Sequence, residues 1–140
     1  MREIIHQKQT KLDCVCTCMA MLCGLPRREV AKRFHARYLI NSEINISDIL
    51  WELKIPFREC RQEETILPDK LYVVSVPSLN MENRLHLILI DWRMRSVLKI
   101  FDPNQGVSGR RYYVPHENPK YKNQATFKGY HAEYEILELK

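Results

Sequence analysis

The longest mostly apolar stretch near the start of the chain lies between Asp13 and Gly24. Its small and medium-sized apolar residues fall on every side of a helix, which predicts a central, buried helix. Asp13 is suited to the N-cap position, and Gly24 followed by Pro26 is typical of a helix end. We therefore expect this helix to occupy the middle of the fold.

Two shorter helices are expected next. Apolar residues recur at helical spacing within residues 27–40 and predict an amphipathic helix. A third helix begins at Ser47 and ends before Pro56. Phe34 and Trp51 are expected to face the core from these helices.

After residue 60 the pattern changes to runs rich in β-branched and other apolar residues, which predict strands. Helices followed by antiparallel strands indicate an α+β fold, with an N-terminal helical layer packed on an antiparallel β-sheet. A short strand is also expected at the start of the chain. The predicted strands are Ile4–Ile5, residues 71–76, 85–92, 96–101 (after a turn at 93–95) and 132–139.

Length and composition fit one ordinary globular unit. The chain has 140 residues, of which 45% are hydrophobic and 28% are charged. These values are unlike those of disordered or low-complexity chains. We expect residues 1–140 to form a single domain.

The chain carries 22 basic and 17 acidic residues, a net charge of +5 that favours encounter with acidic partners. The basic residues are scattered and form no recognised nucleic-acid motif, so no nucleic acid is expected. No apolar run is long enough for a signal peptide or a membrane span, which favours the cytoplasm and leaves signal-independent delivery open.

Four of the five cysteines, Cys14, Cys16, Cys18 and Cys23, lie within ten residues, and the fifth is Cys60. An odd, clustered set is unlike a disulfide framework, so we expect reduced thiols. A metal site is a second interpretation. On a helix, however, Cys14 and Cys18 share a face from which Cys16 points away, so we expect no metal and no other cofactor.

Three side chains can carry chemistry, although each has a plain structural alternative. Cys14 begins the central helix, where the helix dipole and unpaired N–H groups stabilise a thiolate; it can equally be an apolar filler. His86 is the one polar residue within Leu85–Ile90, and it can be a satisfied core histidine. Asp102 follows the next strand, which returns it toward His86, and it can simply begin a turn. Together they supply a thiol, a base and an orienting carboxylate.

Two blocks of sequence and one histidine resemble the bacteriocin-leader (double-glycine) peptidase family, within the papain-like cysteine hydrolases. The similarity extends from residue 7 to residue 106. It implies a papain-like cysteine peptidase fold and an enzyme that cleaves amide bonds. The matching positions are Asp13-Cys14-x-x-x-Cys18-Met19-Ala20-Met21-Leu22-x-Gly24-Leu25-Pro26, His86, and Phe101-Asp102-Pro103-Asn104-x-Gly106.

The resemblance implies that Cys14 is the nucleophile, His86 the general base and acid, and Asp102 the residue that orients the histidine. It also implies an upstream glutamine in the oxyanion hole. The family usually has this glutamine six residues before the cysteine, where this chain has Lys8, so its neighbours Gln7 and Gln9 are both candidates. Val15 stands where the family normally has glycine.

The resemblance favours a standalone cysteine protease acting on a peptide or protein. A glutamine deamidase or transamidase, acting as an effector or toxin, would use the same three groups. A non-catalytic, peptide-binding member of the fold is a further alternative. The sequence indicates neither the substrate nor the oligomeric state.

Overall fold

Helix α1 (Cys14–Cys23) is the central helix of the computed structural model, which describes residues 2–140. The helix is buried from Cys16 to Leu22. Gly24 ends it in the left-handed region at φ 76°, and its N–H donates to the carbonyl of Ala20. Glycine adopts this conformation without steric cost, so the predicted end of the helix is confirmed.

Two further helices flank α1. Helix α2 (Arg27–His35) runs on into a π-helical turn (Ala36–Ile40), which together match the predicted range 27–40. Helix α3 (Ile46–Glu52) begins one residue earlier than predicted. The reason is a capping box at Asn45: its side chain accepts the N–H of Asp48, whose carboxylate accepts the N–H of Asn45.

The described residues form seven strands: β1 (Phe57–Glu59), β2 (Leu71–Pro77), β3 (Leu85–Asp91), β4 (Lys99–Phe101), β5 (Tyr112–Val114), β6 (Gln124–Thr126) and β7 (His131–Ile136). Five of them form an antiparallel sheet in the order β1-β7-β2-β3-β4, and the other two form a separate parallel pair, β5-β6. The central hairpin of β2 and β3 sets His86 opposite Val76. Strand β7 lies between β1 and β2, inside the sheet.

Strands β2 and β3 are buried on both faces, which explains their nearly continuous apolar sequence. Leu87 and Leu89 belong to the core cluster that contains α1. Ile88 and Ile90 belong to a second cluster, which includes Tyr113 from β5. The sheet therefore separates two cores, and the helices cover one of them.

The α+β class and the mostly antiparallel sheet are confirmed. The strand predicted at Ile4–Ile5 is wrong, because two apolar residues in a polar context find no pairing partner. Trp51 was expected in the core but is 79% exposed, since Ile49 and Leu50 occupy the buried side of α3. Within residues 2–140, no helix has the length and apolar character required to cross a membrane.

Candidate active site

The start of helix α1 places Cys14 at the surface of the core, half-buried. Asp13 occupies the N-cap as predicted, but its carboxylate does not cap the helix. It accepts the N–H and hydroxyl of Thr10 at 2.7 and 2.9 Å and pairs with Arg27 at 2.6 Å. The first-turn N–H groups beside Cys14 therefore have no side-chain cap, which keeps them suited to an anion.

The hairpin of β3 and β4 brings His86 and Asp102 together, as its antiparallel pairing predicts. His86 Nε2 lies 2.6 Å from Asp102 Oδ1, and both side chains are buried. The carboxylate also accepts the backbone N–H of Asn104 on Oδ1 and that of Tyr113 on Oδ2, each at 2.9 Å. With all of these donors in place, the carboxylate is fixed and holds the imidazole in one orientation.

Cys14 interacts with the same imidazole. Its side chain influences the pKa of His86 both as a hydrogen-bond partner and through its charge. Burial lowers the pKa of His86, but the hydrogen bonds to Asp102 and Cys14 and the charges of both groups outweigh it and raise the pKa to about 9. Asp102 occupies Nε2, and Nδ1 is the other hydrogen-bonding atom of the ring. With this raised pKa the His86 ring is protonated at neutral pH.

The other four cysteines lie in settings that favour the neutral thiol. Burial raises the pKa of Cys16 to about 12 and that of Cys60 to about 11. It also raises the pKa of Cys23, and raises that of the fully buried Cys18 well above its ordinary value. The described residues include no group of three or more His, Cys, Asp or Glu side chains suited to a metal.

Gln9 lies in the same cavity as Cys14 and His86. Its backbone N–H donates to the carbonyl of Pro103 at 2.9 Å, which ties the N-terminal segment to the loop that follows Asp102. Gln9 Nε2 donates to the carbonyl of Thr10 at 3.1 Å. A side-chain amide carries two N–H groups, so Gln9 has a second donor besides the one that Thr10 accepts.

Gln7, the other candidate, is engaged elsewhere. Its Oε1 accepts the backbone N–H of Arg27 at the start of α2 at 2.7 Å, and its Nε2 donates to the carbonyl of Leu25 at 2.8 Å. The intervening Lys8 packs over Gly106, on another side of the segment. Of the two glutamines left open by the sequence, the structure therefore brings only Gln9 to Cys14.

The cavity beside Cys14 has a volume of about 140 Å³ and includes Val15 in its wall. Two amide oxygens within it, Gln9 Oε1 and Asn104 Oδ1, are buried and have no hydrogen-bond partner. Unpaired buried acceptors are costly in a folded protein, so their presence together suggests a ligand that supplies donors.

The sequence does not predict the backbone N–H of Tyr113 as a partner of Asp102, because a main-chain N–H leaves no signal in the sequence.

Comparisons of the chain with known protein families, with curated proteins and with solved structures give no significant match.

Proposed function

We propose that the protein is a papain-like cysteine peptidase, which hydrolyses amide bonds of a peptide or protein substrate through a thioester. The observation that carries this proposal is that Cys14 and His86 interact and line one cavity, while Asp102 contacts the imidazole of His86 from the protein interior. A nucleophile, a base and an orienting group in mutual contact are what covalent catalysis of acyl transfer requires.

In the first half of the proposed reaction, the Cys14 thiolate attacks the carbonyl carbon of the scissile amide. A carbon–sulfur bond forms, and the carbonyl electron pair moves to oxygen. The first-turn N–H groups of α1 and the second side-chain N–H of Gln9 stabilise that oxyanion. The carbon–nitrogen bond then breaks, and the leaving amine takes its proton from the His86 imidazolium.

In the second half, the neutral His86 imidazole removes a proton from water, whose oxygen attacks the thioester carbon. The carbon–sulfur bond breaks and releases the carboxylic acid together with the Cys14 thiolate, which is again paired with the imidazolium. Asp102 keeps its hydrogen bond to the ring throughout and stabilises the positive charge of the imidazolium.

Iodoacetamide at about pH 6 is expected to alkylate Cys14 at least about tenfold faster than the other four thiols, because a thiolate is the reacting species. The raised pKa values of Cys16, Cys18, Cys23 and Cys60 keep those groups protonated. Peptide mass spectrometry after timed quenching measures the five rates. His86→Ala should remove the advantage of Cys14. Equal rates in the unmodified protein would contradict the proposal.

Incubation with a peptide library prepared from a digested proteome, followed by mass spectrometry, identifies the type of reaction. Proteolysis produces new amino and carboxyl termini, whereas deamidation adds about 1 Da to a glutamine-containing peptide and breaks no chain. Linkage of two peptides with loss of ammonia indicates a transamidase. Selective capture of peptides without any covalent change indicates a binding protein. We expect new termini.

Gln9→Ala is expected to lower kcat on a peptide cleaved in that library by about 10² to 10³, the usual effect of removing one oxyanion donor. The matched variant Gln7→Ala should leave kcat within about threefold and reduce the free energy of unfolding by about 1 kcal/mol, because it loses hydrogen bonds to α2. Steady-state kinetics and urea unfolding measure the two effects. A larger kcat loss in the Gln7 variant would reverse the assignment.

A further inference from the structure

We propose that Arg84 and Arg110 make the cavity selective for peptide substrates that carry a carboxylate side chain next to the scissile bond. This inference rests on the proposed function and adds a substrate class to it. Both arginines lie in loops and line the cavity that contains Cys14 and His86.

The two arginines have no carboxylate partner, whereas six other arginines of residues 2–140 form an ion pair with one. Arg84 is exposed and Arg110 is half-buried, and neither lies within 4.0 Å of an acidic oxygen in residues 2–140. No Asp or Glu lines the cavity. The His86 imidazolium is already paired with the Asp102 carboxylate 2.6 Å away, so the two arginines are the unbalanced positive charges that line the cavity.

The remaining polar atoms in the cavity indicate a peptide and also restrict where its carboxylate can lie. Gln9 and Asn104 are 8% and 3% exposed, and their unpartnered oxygens can only accept hydrogen bonds. Backbone N–H groups of an extended peptide supply the donors they lack. A carboxylate beside them would place acceptor against acceptor, so the negative group belongs at the arginine end of the cavity.

The rim of the cavity also includes exposed apolar side chains. Leu12 and Leu39 are each 40% exposed, and Leu85 is 74% exposed although it begins a strand of the central hairpin. Exposed apolar side chains that surround a polar cavity are typical of a binding surface. The carbon chain of a glutamate or an adjacent apolar residue can cover this rim while the carboxylate reaches an arginine.

The net charge of +5 attracts any anion weakly, so the test must separate the two arginines from the overall charge. Arg28 provides the control, because it is an exposed residue of α2 that does not line the cavity. Arg28→Ala changes the net charge by the same amount as either cavity variant. A local effect is therefore one that Arg84→Ala and Arg110→Ala show and Arg28→Ala does not.

The first measurement compares iodoacetate, which is anionic, with iodoacetamide, which is neutral and nearly the same size. We expect the ratio of the two alkylation rates at Cys14 to fall about three- to tenfold in the Arg84→Ala/Arg110→Ala double variant, because the anion loses two nearby positive charges. The iodoacetamide rate should stay within about twofold, which shows that the thiolate and the fold are intact. Arg28→Ala/Lys32→Ala, which also removes two positive charges but from exposed positions of α2 outside the cavity, should leave the ratio unchanged.

The second measurement uses the proteome-derived peptide library. We expect Asp and Glu to be enriched near the cleaved bond with the unmodified protein and not with the double variant, and a Glu-to-Gln change in a cleaved peptide should raise KM. One outcome is that Cys14 is alkylated selectively while the rate ratio is the same in the double variant and the cleavage sites show no enrichment of Asp or Glu. In that case the acidic preference is wrong and the peptidase proposal stands. If Cys14 is not selectively alkylated, both proposals fail.

Discussion

Replacing Cys14 with alanine is expected to lower the rate of peptide hydrolysis by more than about 10⁴-fold, because the variant has no atom that can form the thioester. Cys14 is half-buried at the start of α1, so the loss of its sulfur removes little packing and the variant should fold. Turnover of a cleaved library peptide, measured beside the thermal unfolding midpoint, separates loss of chemistry from loss of structure.

Cys60→Ala is the matched control for this variant. It also removes a half-buried thiol, but from the second core cluster, away from the cavity, where burial raises the pKa of the group to about 11. Hydrolysis should stay within about twofold in Cys60→Ala. Undiminished turnover in Cys14→Ala would end the case for a cysteine peptidase.

The Cys14→Ala variant should also change the pKa of His86. The Cys14 side chain is one of the groups that raise the pKa of this imidazole, through hydrogen bonding and charge. Its removal leaves burial opposed by Asp102 alone, so the pKa of His86 should fall below about 9 in Cys14→Ala. Titration of the ring carbon protons by NMR detects this change even in a variant that turns nothing over.

The elements that the sequence predicts well are those for which periodicity and end signals agree. Helix α1 is apolar throughout, and it lies between the N-cap Asp13 and the C-cap Gly24 as expected. The hairpin of β2 and β3 consists of β-branched and apolar runs of strand length. Where local and tertiary preferences coincide in this way, pattern alone is sufficient.

Strands β5 and β6 were missed because each has only three residues and their pairing is parallel, which local sequence does not encode. Trp51 was misplaced because the pattern of a two-turn helix does not determine which of several apolar residues faces inward. These features depend on partners that are distant along the chain.

The candidate site divides in the same way. Cys14, His86 and Asp102 stand at the ends of regular elements, so the helix and the hairpin are sufficient to predict their approach. Which of Gln7 and Gln9 reaches the cavity depends on which one binds the start of α2. In the structure this is Gln7, which accepts the N–H of Arg27, a residue 20 positions later in the chain. Arg84 and Arg110 lie in loops without periodicity, and their shared cavity appears only once the fold is known.

Asp102→Asn is expected to lower kcat/KM by about 10³- to 10⁴-fold and to change its pH dependence. In the unmodified protein the pKa of His86 is raised from 6.5 to about 9, so the imidazolium is present below about pH 9 and is lost as the pH rises through that value. An amide provides no negative charge, so burial is then opposed by Cys14 alone and the pKa of His86 falls. The alkaline limb of the kcat/KM profile should therefore move toward neutral pH.

The same substitution affects stability, and the sign follows from the raised pKa of His86. The contribution of the charged pair is fully present below about pH 6.5 and is lost as the pH rises through about 9. The asparagine also turns an N–H donor toward the backbone N–H of either Asn104 or Tyr113, which costs about 1–3 kcal/mol at any pH. Urea unfolding at about pH 6 and pH 10 should show a smaller difference between the two proteins at the higher pH.

Asp91→Asn provides the control for these pH effects. Asp91 is a buried carboxylate at the other end of β3, paired with Arg93 at 2.8 Å, and it does not line the cavity of Cys14. Its substitution should destabilise the fold without moving the alkaline limb. An alkaline limb that stays near pH 9 in Asp102→Asn would mean that this carboxylate does not set the charge of His86, and the triad would then lack its orienting member.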